Sequence, residues 1–172
     1  MDKEKELPKR KATRMYGADY NTVGAYFITI CTKNRRCLLS RIVGDDVLGV
    51  PSYSTDLSPL GEIANTYINQ LNNFYDCLSV EKYVIMPNHI HIMLIVLGNG
   101  TPRTSSPTKQ TQTVPHFVST FKRFCNKEYG ENIWQRGFHD HIIRNREDYE
   151  EHLKYILENP MHWYYDELYS EE

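Results

Sequence analysis

The chain has 172 residues, of which 40% are hydrophobic, enough for one domain around a single core. A net charge of −2 and a pI near 6.4 exclude a uniformly basic nucleic-acid coat and leave room only for local basic patches. No apolar run approaches the roughly 20 residues that cross a bilayer, the first residues are charged, and Cys31, Cys37, Cys77 and Cys125 form no CxxC pair, so the expectation is a cytoplasmic protein with reduced thiols.

In chain order, residues 1–20 read as a flexible basic arm, carrying Lys3, Lys5, Lys9, Arg10, Lys11 and Arg14. "AYFITICT", from Ala25, is β-branched and aromatic and reads as a strand, followed by a turn at Asn34–Arg36. "CLLSRIV" suggests a short strand, and "GDDVLGVPSYSTD" has the turn residues and sparse apolar content of a loop. "LSPLGEIANTYINQLNNFYD" is the clearest helix. Ser58 suits its N-cap and Pro59 its first position, and Leu60, Ile63, Ala64, Tyr67, Ile68, Leu71 and Phe74 recur at helical spacing. "LSVEKYVIM" and "HIHIMLIV" read as two strands joined at Pro87-Asn88.

Residues 98–114 are Gly, Thr, Ser, Pro and Gln with few large apolar groups, the pattern of a long polar loop. A helix follows from Pro115 to Gly130, with Phe117, Phe121 and Phe124 inward and Lys122, Arg123 and Lys127 in water. "FHDHIIR" gives another strand. "NREDYEEHLKYILENP" gives the last helix, capped by Asn145, stopped before Pro160, with Tyr149, Leu153, Ile156 and Leu157 as its core stripe. Residues 166–172 form an acidic tail, leaving 21–165 as a single domain. The mixture of strands and helices predicts an α+β sandwich, with helices on a mainly antiparallel sheet.

Two positions in this scheme resist a purely structural reading. Side chains alternate along a strand, so His89 and His91 share one face of "HIHIMLIV" with Met93 and Ile95. Imidazoles at i and i+2 can reach one metal ion, although each can equally be a satisfied histidine. Two ligands are too few, and a third has to come from elsewhere. On the last helix Tyr155 and Asn159 lie one turn apart, with His152 nearby. Their spacing makes them eligible for the same site, but packing at the core edge explains them as well.

"MPNHIHIML", "IWQRGFHDHIIRN" and "YILENP", in this order, resemble the single-tyrosine HUH transposases, and within them the REP-associated tyrosine transposases. The resemblance runs from Tyr26 to Trp163. It implies a ferredoxin-like fold, His89 and His91 as ligands of Mg²⁺ or Mn²⁺, Asn159 as the third ligand and Tyr155 as nucleophile. It differs from the family pattern at Phe138, where tyrosine is common.

The implied chemistry is attack by the Tyr155 phenol on a DNA phosphate, giving a 5′-phosphotyrosine and a free 3′-OH. A phenol with a pKa near 10 needs a proton acceptor, for which His152 is a candidate, with plain packing as its alternative. The implied substrate is single-stranded DNA with a hairpin. Arg35, Arg36, Lys122, Arg123, Lys127, Arg136, Arg144 and Arg146 are candidate phosphate contacts, and aromatic faces such as Trp134 are candidate stacking surfaces or core residues. Two other readings are a domesticated hairpin-binding protein that does not cut and a metal protein acting on a small molecule. Either a monomer or a homodimer fits, and no membrane is implied.

Overall fold

The computed structural model describes residues 20–47, 50–98 and 113–170. The expected basic arm up to residue 19, residues 99–112 of the polar loop and the last two residues lie outside this description. The elements are β1 (Gly24–Cys31), β2 (Ser40–Val47), β3 (Val50–Leu57), α1 (Pro59–Phe74), β4 (Leu78–Ile85), β5 (His89–Val96), α2 (Thr113–Tyr129), β6 (His139–Ile142) and α3 (Arg146–His162). Single 3₁₀ turns follow β1 at Lys33–Arg35 and α3 at Trp163–Tyr165.

Four strands form one sheet in the order β4-β5-β1-β6, with every pairing antiparallel. Taken without β2 and β3, the succession β1-α1-β4-β5-α2-β6 in this order is the ferredoxin-like arrangement. The strand alternation of β1 and β5 divides the core. Ile28, Ile30, Ile90, Ile92 and Leu94 face α1 and α2 and join Ala64, Ile68, Phe117 and Phe121. Phe27 and Met93 point to the other face, where Ile156 of α3 covers them.

Local signals set the helix starts as expected. Ser58 Oγ accepts the Gly61 N–H at 3.1 Å, and Asn145 Oδ1 accepts the Asp148 N–H at 2.9 Å. Gly130, at φ +90°, follows the end of α2.

Several expectations are corrected. The segment "GDDVLGVPSYSTD" is no loop: β2 and β3 pair from Ser40↔Leu57 to Val47↔Val50. This ribbon is a separate two-stranded sheet, and its described side chains from Ser52 to Asp56 are mostly exposed, so it lacks the apolar alternation that marks a core strand. Helix α2 starts at Thr113, two residues before Pro115, because Thr113 and Val114 are already packed. Helix α3 does not stop before Pro160 but runs through it to His162. A proline in the last turn costs only the bond to the carbonyl four residues earlier, and Pro160 is buried. Leu157 is 58% exposed and leaves the stripe to Ile156. Phe74, at the end of α1, is also largely exposed. Lys122 is not simply in water: its ammonium donates to the carbonyls of Gln135 and Gly137. Trp134, by contrast, is buried against Phe121, in keeping with the core reading of this residue.

Among the described residues no helix is long and apolar enough to cross a membrane.

Candidate active site

The site lies on the α3 side of the sheet, where β5 begins. The register places Thr29 opposite His91 and Cys31 opposite His89. Thr29 Oγ1 is 2.8 Å from His91 Nδ1, and Asn88 Oδ1 is 2.8 Å from His89 Nδ1. The Asn88 amide nitrogen donates to the Leu168 carbonyl and to Ser170 Oγ, so its oxygen is the atom that faces His89. His89 therefore carries its proton on Nδ1 and leaves the Nε2 lone pair free.

Both Nε2 atoms are buried and have no hydrogen-bond partner, and Asn159 Oδ1 is in the same condition. Unpaired buried polar atoms are costly, and here all can act as lone-pair donors. Burial also holds both rings neutral: it lowers the His89 pKa to about 3, helped by Arg35, and takes His91 well below 6.5, helped by His89. Neutral imidazoles held by their far nitrogens are what a cation site requires. The Nε2 pair and the Asn159 oxygen thus fit a divalent metal.

Helix α3 brings Tyr155 over this pair. Its ring centroid is 5.2 Å from that of His91 and 6.0 Å from that of Phe27. The phenol donates to Asp166 Oδ2 at 3.1 Å, and Asn159 Nδ2 donates to the same oxygen at 2.9 Å. Asp166 arrives by chain reversal: the Trp163–Tyr165 turn closes with Asp166 N on the Trp163 carbonyl, and Oδ1 accepts the Leu168 N–H. One ligand atom each from His89, His91 and Asp166 lie within 4.8 Å of one another. Burial first, and then the Asp166 charge, pushes the Tyr155 phenol up to about 12.

An open cavity of about 510 Å³ gives access to these groups; Arg35, His91, His139, His152, Tyr155 and Asp166 are among its walls. Arg35 reaches it from an unusual backbone: Asn34 and Arg35 both adopt left-handed conformations, at φ 59° and 54°. Arg35 Nη1 donates to the Glu167 carbonyl.

No protein-family model matches the chain. It is 30% identical over 175 residues to a Haemophilus influenzae protein of unassigned function, covering 93% of each chain. It is 28% identical over 164 residues to a second Haemophilus influenzae protein, named as a REP-associated tyrosine transposase, covering 89% of this chain and 79% of that one. The REP-associated tyrosine transposase of Escherichia coli is 32% identical over 82 residues, 48% of this chain and 44% of its own length. The named relatives are REP-associated tyrosine transposases, and it is to this family that the chain is similar. A solved REP-associated tyrosine transposase, bound to a REP hairpin, has the same fold, with a TM-score of 0.60 and 21% identity over 88% of this chain and 73% of that one.

Sequence reasoning singled out His89, His91, Tyr155 and Asn159, and the fold brings all of them together. It missed Asp166, which sat in a run of acidic residues with nothing in its spacing to separate it from a solvated tail. His152 borders the same cavity, but its Nδ1 is turned to Asp148, at 2.9 Å from the carbonyl and 3.1 Å from Oδ1. The basic residues are dispersed. Arg35 lines the cavity, Arg36 is exposed beside it, and Arg136 lines a small adjoining hollow with Thr29 and His139. Arg123 and Lys127 lie on α2, across the sheet from the histidines. Arg144 is exposed after β6, and Arg146 pairs with Glu150 at 2.7 Å.

Proposed function

We propose that this protein nicks and rejoins single-stranded DNA carrying a hairpin, through a covalent bond to Tyr155. The observation that carries the proposal is the convergence of the Tyr155 phenol on the two unpartnered imidazole nitrogens. His89, His91 and Asn159 would hold Mg²⁺ or Mn²⁺, which when bound supplies positive charge beside a scissile phosphate.

The Tyr155 Oη atom forms a bond to phosphorus as the bond from phosphorus to the 3′-oxygen breaks, leaving a 5′-phosphotyrosine and a 3′-OH. Asp166 Oδ2 already holds the phenolic proton in a hydrogen bond, so it is the first acceptor and His152 the second. The same proton can pass to the departing 3′-oxygen. Attack by another 3′-OH reverses the step and releases the phenol, without a nucleotide cofactor. Arg35, Arg36 and Arg136 flank the cavity entrance as phosphate contacts.

One observation favours a second reading, hairpin binding without cleavage. A phenol pushed up to about 12 is far from ionised at neutral pH. The test that separates the two uses labelled single-stranded DNA hairpins, drawn from any inverted repeats found beside the gene, incubated with Mn²⁺. A denaturant-resistant protein–DNA adduct that disappears in Tyr155→Phe supports cleavage. Unchanged binding in both proteins with no adduct in either would favour the second reading.

A further inference from the structure

A second group of ligating side chains stands beside the first, and of its members only His152 figures in the chemistry above, as the second proton acceptor. His141 comes from β6, and Asp148 and His152 come from α3, four residues apart on one helical face. His141 Nε2 is 2.9 Å from Asp148 Oδ1, and His152 Nδ1 is 3.1 Å from the same oxygen. The two imidazole rings stack at 4.5 Å with 11° between their planes. One ligand atom from each residue lies within 4.8 Å of the others. The second carboxylate oxygen accepts the Arg144 N–H at 2.9 Å, which fixes the carboxylate plane. Phe27 separates this group from the first: its ring centroid is 4.8 Å from that of His152 and 5.0 Å from that of His91.

We propose that His141, Asp148 and His152 form a second divalent-cation site, of zinc type, that ties β6 to α3. Two imidazole nitrogens and one carboxylate oxygen are a donor set suited to zinc, with a fourth position for water. Bonds of about 2.0–2.1 Å in a tetrahedral shell put neighbouring donors about 3.3 Å apart. The two nitrogen-to-oxygen separations need to open by only a few tenths of an ångström, and the stacked rings must tilt apart from their 11° so that both in-plane lone pairs meet at one ion. In the metal-free state protons fill the same gaps, one on each ring nitrogen facing Asp148. Binding requires each ring to turn a lone pair to the ion and carry its N–H on the far nitrogen, His141 Nδ1 and His152 Nε2, beside the Asp148 carboxylate. The side chains are 39%, 16% and 21% exposed for His141, Asp148 and His152, open enough for an ion to enter and for water to complete the shell. The site's helical half lies one turn before Tyr155, so a bound ion fixes the helix that carries it.

The experiment titrates the metal-free full chain with zinc chloride alone against a chromophoric chelator, for the wild type, His141→Gln and His152→Gln. Each variant is expected to bind one equivalent fewer than the wild type, or to bind its zinc at least roughly tenfold more weakly. Cobalt in place of zinc should give visible d–d bands that vanish in both. Circular dichroism melts confirm that the variants fold; His141 lies at the exposed edge of the sheet, so its substitution preserves the core. Zinc stoichiometry and affinity unchanged in both variants would overturn the proposal. Because the readout is metal binding, failure here leaves the DNA-cleavage reading untouched.

Discussion

The Tyr155 phenol donates to Asp166 Oδ2 at 3.1 Å, although the two residues sit on opposite sides of a chain reversal. This bond ties the residues after α3 back onto the helix, beside the histidine pair of β5. It also decides how easily the phenol loses its proton, because a carboxylate beside a phenol opposes a second negative charge.

In Asp166→Asn the phenol pKa should fall from about 12 toward 10 without reaching it, since burial, the larger cause, remains. A pH titration of phenolate absorbance, read as the difference between this variant and Asp166→Asn/Tyr155→Phe, measures it. A phenol pKa unmoved from the wild-type value would show that Asp166 does not set the charge at this site.

Asn88 holds His89 by Nδ1 while its amide nitrogen grips Leu168 and Ser170. Asn88→Ala frees the ring to rotate or change tautomer. Manganese affinity should fall by roughly 10–100-fold, the usual effect of losing an outer partner of a metal-binding histidine. Isothermal titration of the metal alone is the check, and equal affinities would remove Asn88 from the site's support.

The histidine pair also gives the fold a pH dependence. His89 has its folded pKa lowered from 6.5 to about 3, and His91 is shifted the same way. The unfolded chain therefore binds more protons between those values, and stability rises with pH across that window. It is complete above about 6.5 and declines as the pH falls toward 3. Urea midpoints from pH 7 to 5, above the range of most carboxylates, should drop in the wild type. The drop should be much smaller in His89→Gln/His91→Gln, and equal slopes would contradict the assignment.

Gly61 tests the packing of α1. A Cβ added there meets the Leu39 carbonyl oxygen at 2.0 Å. That carbonyl cannot move freely, because it accepts the Ser58 N–H at 2.9 Å. Gly61→Ala should cost about 1–3 kcal/mol or more, as overpacking against backbone does. Ala64, also on α1, is already Ala, so the helix as such tolerates the residue. A denaturation midpoint equal to that of the wild type would show that the strand–helix junction relaxes.

Much of this was written locally. The i, i+2 spacing put His89 and His91 on one face of β5 wherever the strand lay, because alternation is a property of the extended backbone. The four-residue spacing put Tyr155 and Asn159 on one side of α3 for the same kind of reason. Ser58 and Asn145 announced their helices through caps that act over three residues. The β2–β3 ribbon gave no such signal, since its described side chains from Ser52 to Asp56 are mostly exposed.

What the sequence by itself determined, then, is which side chains travel together on each element, and so the fold class they can build. Only the tertiary structure decided which faces meet. It laid α3 over β5 so that Tyr155 reaches His91, and it turned the chain after Trp163 so that Asp166 enters a site its neighbours gave no reason to suspect. Contacts between residues distant along the chain depend on the packing of whole layers, and no local periodicity encodes them.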